Sequence, residues 1–454
     1  MIIAIIVVFI LGYMAIALEH PLKVDKTASA LFLGMLLWTM YAVGVLSGDI
    51  FPDRNMDLLN GSIIEHMGDI SEILFFLIGA MTIVELIDVH GGFSVITERI
   101  TTRKKRKLLW LLCFVTFFMS AVLDNLTTSI VMVMLLRKLI SEQKERWIFG
   151  SMIVIAANSG GAWSPIGDIT TIMLWVRGNV TTEGLLSNIL LPSIVSMLVP
   201  LAIISTRLDK AVLPPVAISA TGNDTVTKSD KNRFFIFGVV SLLLVPVFKS
   251  LTHLPPFIGV LFFLSLLWIY TEYYYNNKTV NKEREYRILR VLSRIDIPTI
   301  LFFLGILMAV AVLQETGILA NMALYLDEKV HNVYIINIVL GILSSIVDNV
   351  PLVAAAMGMY PLADPAALSS LPAAEAAYAM NFVQDGIFWE FLSYCAGVGG
   401  SMLIIGSAAG VVVMGLEKIN FIWYLKNISL LALLGYLAGA AFYIFQVWLV
   451  GTLA

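Results

Sequence analysis

Long apolar runs separated by short polar intervals fill most of the chain. A helix needs about 20 such residues to cross a bilayer. Suitable runs lie near 2–18, 28–46, 71–89, 148–176, 187–206, 234–249, 257–274, 297–313, 388–416 and 427–449. They predict ten transmembrane helices, since a membrane β-barrel would show alternating segments of about ten residues instead. Two further stretches, 108–140 and 333–360, carry polar pairs in their middles: Asp124-Asn125 and Asp348-Asn349. Half of either stretch is too short to cross, so each is expected to form a re-entrant hairpin with the polar pair at its tip. Met1 to Leu18 lacks a basic n-region and an A-x-A-like cleavage site and reads as the first span.

Loop charge sets the sidedness. Arg103, Lys104, Lys105, Arg106 and Lys107 precede the first hairpin, and Arg137, Lys138, Lys144 and Arg146 follow it. That hairpin enters from the cytoplasm. The second is flanked by Glu315, Asp327 and Glu328, then by Asp364, Glu375 and Asp385, with Lys329 the one basic neighbour. It enters from outside. Lys23, Lys26 and the clusters 207–233, 278–294 and 418–426 fall inside, which leaves both termini outside.

The two halves echo each other. Ile73–Met81 (ILFFLIGAM) matches Ile300–Met308 (ILFFLGILM), and Ala121–Leu126 (AVLDNL) matches Ser345–Val350 (SIVDNV). Ser159–Gly167 (SGGAWSPIG) matches Val398–Gly406 (VGGSMLIIG). The order is the same in both halves: span, tip, Gly-Gly segment. The offset grows from 224 to 239 residues between the last two matches, which locates an extra external loop of 15 residues near 361–387. The expected architecture is an all-α membrane protein of two repeats. The first is 1–207, then a cytoplasmic linker 208–233, then a second repeat 234–454. Five spans per repeat force the second copy to be inverted, a known design for alternating access.

Composition narrows the class. The chain is 59% apolar and 13% charged, with net charge −3 and mean hydropathy +0.89. A soluble enzyme would carry about 25% charge, and no basic excess points to nucleic acid. Cys113 and Cys395 sit in apolar runs, so no disulfide framework or C-x-x-C chemistry is expected.

Three carboxylates stand out because they interrupt apolar sequence: Asp124, Asp168 and Asp348. A charged group at the bilayer centre costs about 2.5–3.5 kcal/mol on insertion scales. No Lys or Arg lies in the same stretches, so a cation, a proton or oriented dipoles must compensate. The tip Asp124-Asn125-Leu126-Thr127-Thr128 is rich in the oxygen ligands that hard cations prefer. Equally, Asp124 or Thr127 can cap the second arm of the hairpin, and capping and ion binding can coexist. Ala156–Thr171 (AANSGGAWSPIGDITT) reads as a broken helix, interrupted by Gly160, Gly161 and Pro165. Asn158 precedes the break, and Asp168 follows it at a half-helix N-terminus, where negative charge is favoured. In the second half Ser407 stands at the position of Asp168. Glu85, Asp88, His90 and Glu315 are weaker candidates, read mainly as interfacial.

The paired Asp-Asn tips, the GGAWSPIGD segment and GGSMLIIGSAAG together resemble the NhaD-type sodium/proton antiporters of the ion transporter superfamily. The resemblance runs from the third span to the end, and its most specific piece is G-G-x-x-x-P-I-G-D. Dicarboxylate relatives carry Ser-Asn-Thr at the tips instead. The resemblance implies a transport domain holding the hairpins and broken helices, a scaffold domain that dimerises, and a bacterial inner (cytoplasmic) membrane. It assigns ion binding to Asp124, Asn125, Thr127, Asn158, Asp168 and Thr170, with Ser344, Asn349 and Ser401 as second-half counterparts. Asp348 joins them as a membrane carboxylate. Na⁺ is expected at Asp124, Asn125, Asn158 and Asp168.

The expected function is export of Na⁺ (or Li⁺) against protons, with no cofactor and no enzymatic step. Burial penalises the charged carboxylate, so protons and Na⁺ compete for it. The alternative is an organic-anion or oxyanion transporter on the same scaffold. Extra carboxylates and the lack of an intramembrane Arg oppose it. An intramembrane aspartyl protease is opposed by Pro165 at the first position of G-x-G-D. A zinc protease is opposed by the lack of H-E-x-x-H.

Overall fold

A computed structural model describes residues 1–17, 22–50, 56–97, 99–100, 102, 104–208, 227–276, 291–346 and 348–453. The described residues are helical or irregular, with no strand among them. Most of the expected linker (209–226) and the basic segment 277–290 lie outside them, as do Arg103 and Asp53.

The principal helices are α1 (Ile2–Ala17), α2 (Lys26–Leu46), α3 (Met56–Val89), α4 (Lys105–Leu123), α5 (Asn125–Leu139), α6 (Gln143–Gly161), α7 (Ile169–Val176), α8 (Leu190–Arg207) and α9 (Lys228–Thr252). They continue as α10 (Pro256–Asn276), α11 (Ile297–Glu315), α12 (Ile318–Lys329), α13 (Val333–Ser344), α14 (Asn349–Met359), α15 (Ile387–Gly399), α16 (Ala408–Glu417), α17 (Phe421–Asn427) and α18 (Ser429–Leu453). Among the described residues eight helices are long and apolar enough to cross a membrane, or nine if the bent pair α16–α17 counts as one. The chain is a multi-pass membrane protein.

Several elements differ from the hydropathy reading. α3 has 34 residues rather than about 20. At 1.5 Å per residue it is about 51 Å long, well beyond a hydrocarbon core. Asp57, Glu65 and Asp69, read as loop, ride on its outer turns because no proline interrupts the helix there. α4 has 19 residues and is long enough to cross on its own, against the expectation of a half-span. Its basic first turn, Lys105 to Lys107, extends the helix ahead of the apolar run. α1 has 16 residues and is shorter than a standard span. The extra loop 361–387 carries two short helices, Pro365–Leu368 and Ala373–Ala379.

The helices pack in two groups, each drawing on both halves of the sequence. In one group α2 packs on α11, and α3 on α10 and α11, with α1 and α9 against them. α2 and α11 run parallel: Thr27 Oγ1 donates to the Pro298 carbonyl at 3.2 Å, and Trp38 Nε1 to that of Met308 at 3.0 Å. In the other group α4 packs on α6, α13 on α15, and α8 on α18. α14 bridges the groups by packing on α11 as well as α15.

The candidate site sits where α6–α7 and α15–α16 break. α6 ends at Gly161, and Pro165 removes a backbone donor from the gap. α7 restarts behind Asp168, whose carboxylate and Thr171 form a reciprocal capping box. α16 restarts behind Ser407, whose Oγ accepts from Gly410 N at 3.1 Å. The two caps have nearly the same backbone, φ −148° and ψ 149° at Asp168 and φ −147° and ψ 153° at Ser407. Glycine is required in front of both breaks. A Cβ on Gly160 would collide with the Phe117 carbonyl of α4, and one on Gly399 with the Gly341 carbonyl of α13. Trp163 covers the first contact by stacking on Phe117, ring centres 5.9 Å apart.

Candidate ion-binding site

Asp168 is the centre. It is 2% exposed. Its Oδ1 accepts from the Thr170 amide at 3.0 Å and the Thr170 hydroxyl at 3.1 Å. Its Oδ2 accepts from Asn125 Nδ2 at 2.7 Å. Asn349 Nδ2 stands 3.5 Å from both oxygens. A second layer holds the amides. Asn125 also donates to Asn158 Oδ1 at 3.1 Å, and Asn158 Nδ2 donates to Ser401 Oγ and Ser407 Oγ, each at 2.9 Å. Both tips and both broken helices therefore meet in one buried network. It joins six of the sequence-expected residues: Asn125, Asn158, Asp168, Thr170, Asn349 and Ser401.

The other four stand around it. Asp124 lies between α4 and α5 at φ 77° and ψ 160°, a backbone that costs a non-glycine residue about 1–3 kcal/mol. Its carboxylate accepts from Thr127 N at 2.8 Å and Thr127 Oγ1 at 2.9 Å. It thus caps α5 while staying in the electrostatic field of Asp168. Ser344 donates to the Ala396 carbonyl at 2.9 Å, which ties α13 to α15 rather than contributing to the centre. Asp348 caps α14 through Val350 N at 3.3 Å.

The expectation that no basic residue reaches the carboxylates fails for Asp348. Lys26 Nζ lies 3.7 Å from its Oδ2. The lysine comes from α2, far from the tip in sequence, so the stretch around Asp348 does not reveal it. Ser407, which sequence matching noted but did not place in the site, holds Asn158; its signal was the GGSMLIIGS segment. Among the described residues, Asp124 and Asp168 form no salt bridge.

Three of the weaker candidates have partners elsewhere. Glu85 faces Arg294 at 3.6 Å, and Glu315 faces His66 at 3.1 Å. His90 is buried, with Nδ1 2.7 Å from the Leu86 carbonyl and Nε2 2.6 Å from the Tyr275 hydroxyl.

Two cavities touch helices that carry the network, α7 and α5. One of about 200 Å³ is lined by His66, Met173, Arg177, Gln314 and Tyr360, among others. Another of about 190 Å³ is lined by Glu85, Asp88, Thr127, Arg294 and Asp296, among others. Met173 follows Asp168 on α7, and Thr127 holds Asp124, so the cavities approach the site through different elements. Neither lining includes Asn125, Asn158 or Asp168. Cys113 and Cys395 are buried free thiols.

Residues 7–382 match the family described as citrate transporter, CitMHS. The chain is 43% identical over 442 residues to Sodium/proton antiporter 1 of Arabidopsis thaliana, covering 97% of this chain and 72% of that protein. It is 42% identical to Sodium/proton antiporter 2 of the same plant, with 96% and 97% covered. It is 30% identical to the Na(+)/H(+) antiporter NhaD of Alkalimonas amylolytica, with 96% and 89% covered. Taken with the Asp-Asn tips, whose asparagines are buried, and the two broken helices, these matches establish that the chain belongs to the CitMHS family and to the NhaD-type sodium/proton antiporters.

Proposed function

We propose that the protein exports Na⁺ (or Li⁺) in exchange for protons, at one site centred on Asp168, by alternating access. The observation that carries this reading is a buried carboxylate surrounded by amides and hydroxyls, with no salt bridge among the described residues. A buried charge must be compensated. A proton and a small cation both use the lone pairs of Asp168, so loading one expels the other. The three amides add a switch. Turning the amide of Asn125, Asn158 or Asn349 over exchanges a donor for a carbonyl oxygen. With N–H groups facing inward the network satisfies an empty carboxylate. With oxygens facing inward it becomes a ligand set for a hard cation.

Alternating access is supported by the two cavities, which reach toward the site from different elements. The inverted repeat is supported by the matched caps, the matched Gly–carbonyl contacts and the helix pairs α4–α6 and α13–α15. On this reading the tips α4–α5 and α13–α14 are the re-entrant hairpins, entering from opposite sides. Dimerisation through the group containing α2 and α11 remains part of the proposal. So does a bacterial inner membrane, although relatives occur in a plant.

The description of the family as citrate transporter keeps the anion reading in view. It is opposed by Asp124 and Asp168, which would repel a carboxylate substrate, and by the lack, among the described residues, of a basic side chain bonded to the central network.

Everted vesicles loaded with a pH-reporting dye test the proposal. After acidification, Na⁺ or Li⁺ dissipates the gradient, K⁺ and citrate do not, and Asp168→Asn abolishes the response. Uptake of labelled citrate with silence to cations would reject it.

A further inference from the structure

We propose that Lys26 is the resident counter-ion of Asp348 and a positioning residue for exchange, one that withdraws the second tip's carboxylate from the set that cations and protons occupy. The inference rests on the antiport reading above and extends it to the charge carried per cycle.

The two tips begin alike. Each has an Asp that caps the following helix and an Asn that turns toward Asp168: Asn125 at 2.7 Å and Asn349 at 3.5 Å. They differ in what faces the Asp. Asp124 is held by the amide and hydroxyl of Thr127, both neutral. Asp348 faces the Lys26 ammonium at 3.7 Å.

The lysine is held on both sides. Its Nζ also lies 4.8 Å above the centre of the Phe302 ring of α11, within cation–π range. It is the first residue of α2, and Asp25 caps that helix by accepting from Thr27 N at 2.7 Å. Tyr13 of α1 lies in the field of the same carboxylate. Two helices of one packing group thus hold an ammonium, backed by a ring face, against a tip that belongs to the other, and the α1 phenol lies in that tip's electrostatic field.

Charge bookkeeping follows. Asp168 lies within the fields of both Asp124 and Asp348. With Asp348 neutralised by Lys26, two carboxylates exchange ligands during the cycle. Without the lysine, a third anionic group faces the same site and must be compensated by an added cation. Both side chains of the pair are partly exposed, 32% for Lys26 and 23% for Asp348, so water and ions reach Asp348 once the lysine is gone.

The test uses the full-length chain in proteoliposomes, measuring the charge moved per ²²Na⁺ and the half-saturating Na⁺ concentration. Lys26→Gln is expected to change the charge per Na⁺ and to lower half-saturation about fivefold, with a smaller effect on maximal rate. Lys26→Met keeps the stem over Phe302 and is expected to act the same way. Lys26→Arg preserves the parental ratio. Lys26→Gln/Asp348→Asn returns the ratio to the parental value at whatever rate it runs. Parental ratio and half-saturation in both Lys26→Gln and Lys26→Met overturn the proposal. So does a slower rate that Asp348→Asn fails to restore while the charge per Na⁺ and the half-saturation stay parental, since Lys26 is then structural. Absence of Na⁺-coupled proton movement in the parent protein overturns the antiport reading itself, and with it this inference.

Discussion

A carboxylate in a dry site is neutralised by whatever positive species can reach it, and the partners of Asp168 are neutral amides and hydroxyls. Asn is a competent N-cap and is among the residues most tolerant of positive φ. Asp124→Asn and Asp168→Asn therefore keep α5 and α7 capped while removing the charge. Each is expected to leave thermal stability within a few degrees of the parent and to cut Na⁺-dependent proton flux at least about 100-fold. Full flux in both variants would refute the assignment. Ser407→Ala removes one of two acceptors for the Asn158 amide. A hydrogen bond is worth about 1 kcal/mol, so half-saturation for Na⁺ is expected to rise about fivefold. The carboxylates were legible in the sequence because a charge inside an apolar run has no other ready explanation. Asn125 and Asn158 were legible as neighbours of those charges. The Lys26–Asp348 pair and the role of Ser407 were not, because their partners lie in other helices, 249 residues apart for Ser407 and Asn158.

Helix breaks are written in glycine, proline and caps, which is why both broken segments could be read from the chain. Pattern alone could not give the contact that demands Gly160 and Gly399. Each lets a neighbouring backbone carbonyl come closer than any side chain would permit. Gly160→Ala and Gly399→Ala must each shift a helix, and overpacking of this kind costs about 1–3 kcal/mol. Gly415→Ala is the control: a Cβ there meets nothing within 4 Å, and α16 gains helix propensity. The expected result is lower melting temperatures for the first two variants and an unchanged or higher one for the third. Equal melting temperatures in all three would show that the close approach is not needed. Hydropathy misjudged the lengths of α3 and α4 because it scores apolarity, and helices continue through polar turns unless something stops them.

Among the described residues the two packing groups meet through few charged contacts, and these report on relative movement. Arg177, just beyond α7, pairs with Asp69 of α3, and Lys249 of α9 donates to the Trp175 carbonyl at 2.5 Å. If the group holding the site moves against the other, a short cross-linker between cysteines at 69 and 177 should block exchange, and reductive release should restore it. Unimpaired exchange in the cross-linked protein would show that the groups stay fixed. The internal repeat was legible as three ordered matches. The regrouping of its helices across both halves was not, because packing partners are chosen in space. The central claim is that protons and Na⁺ share one site. The most direct test is ²²Na⁺ uptake into proteoliposomes at a series of external pH values. For a single competing proton, half-saturation by Na⁺ should rise about tenfold per unit fall in pH on the acid side, with maximal rate unchanged. A half-saturation that ignores pH while the maximal rate falls would contradict a shared site.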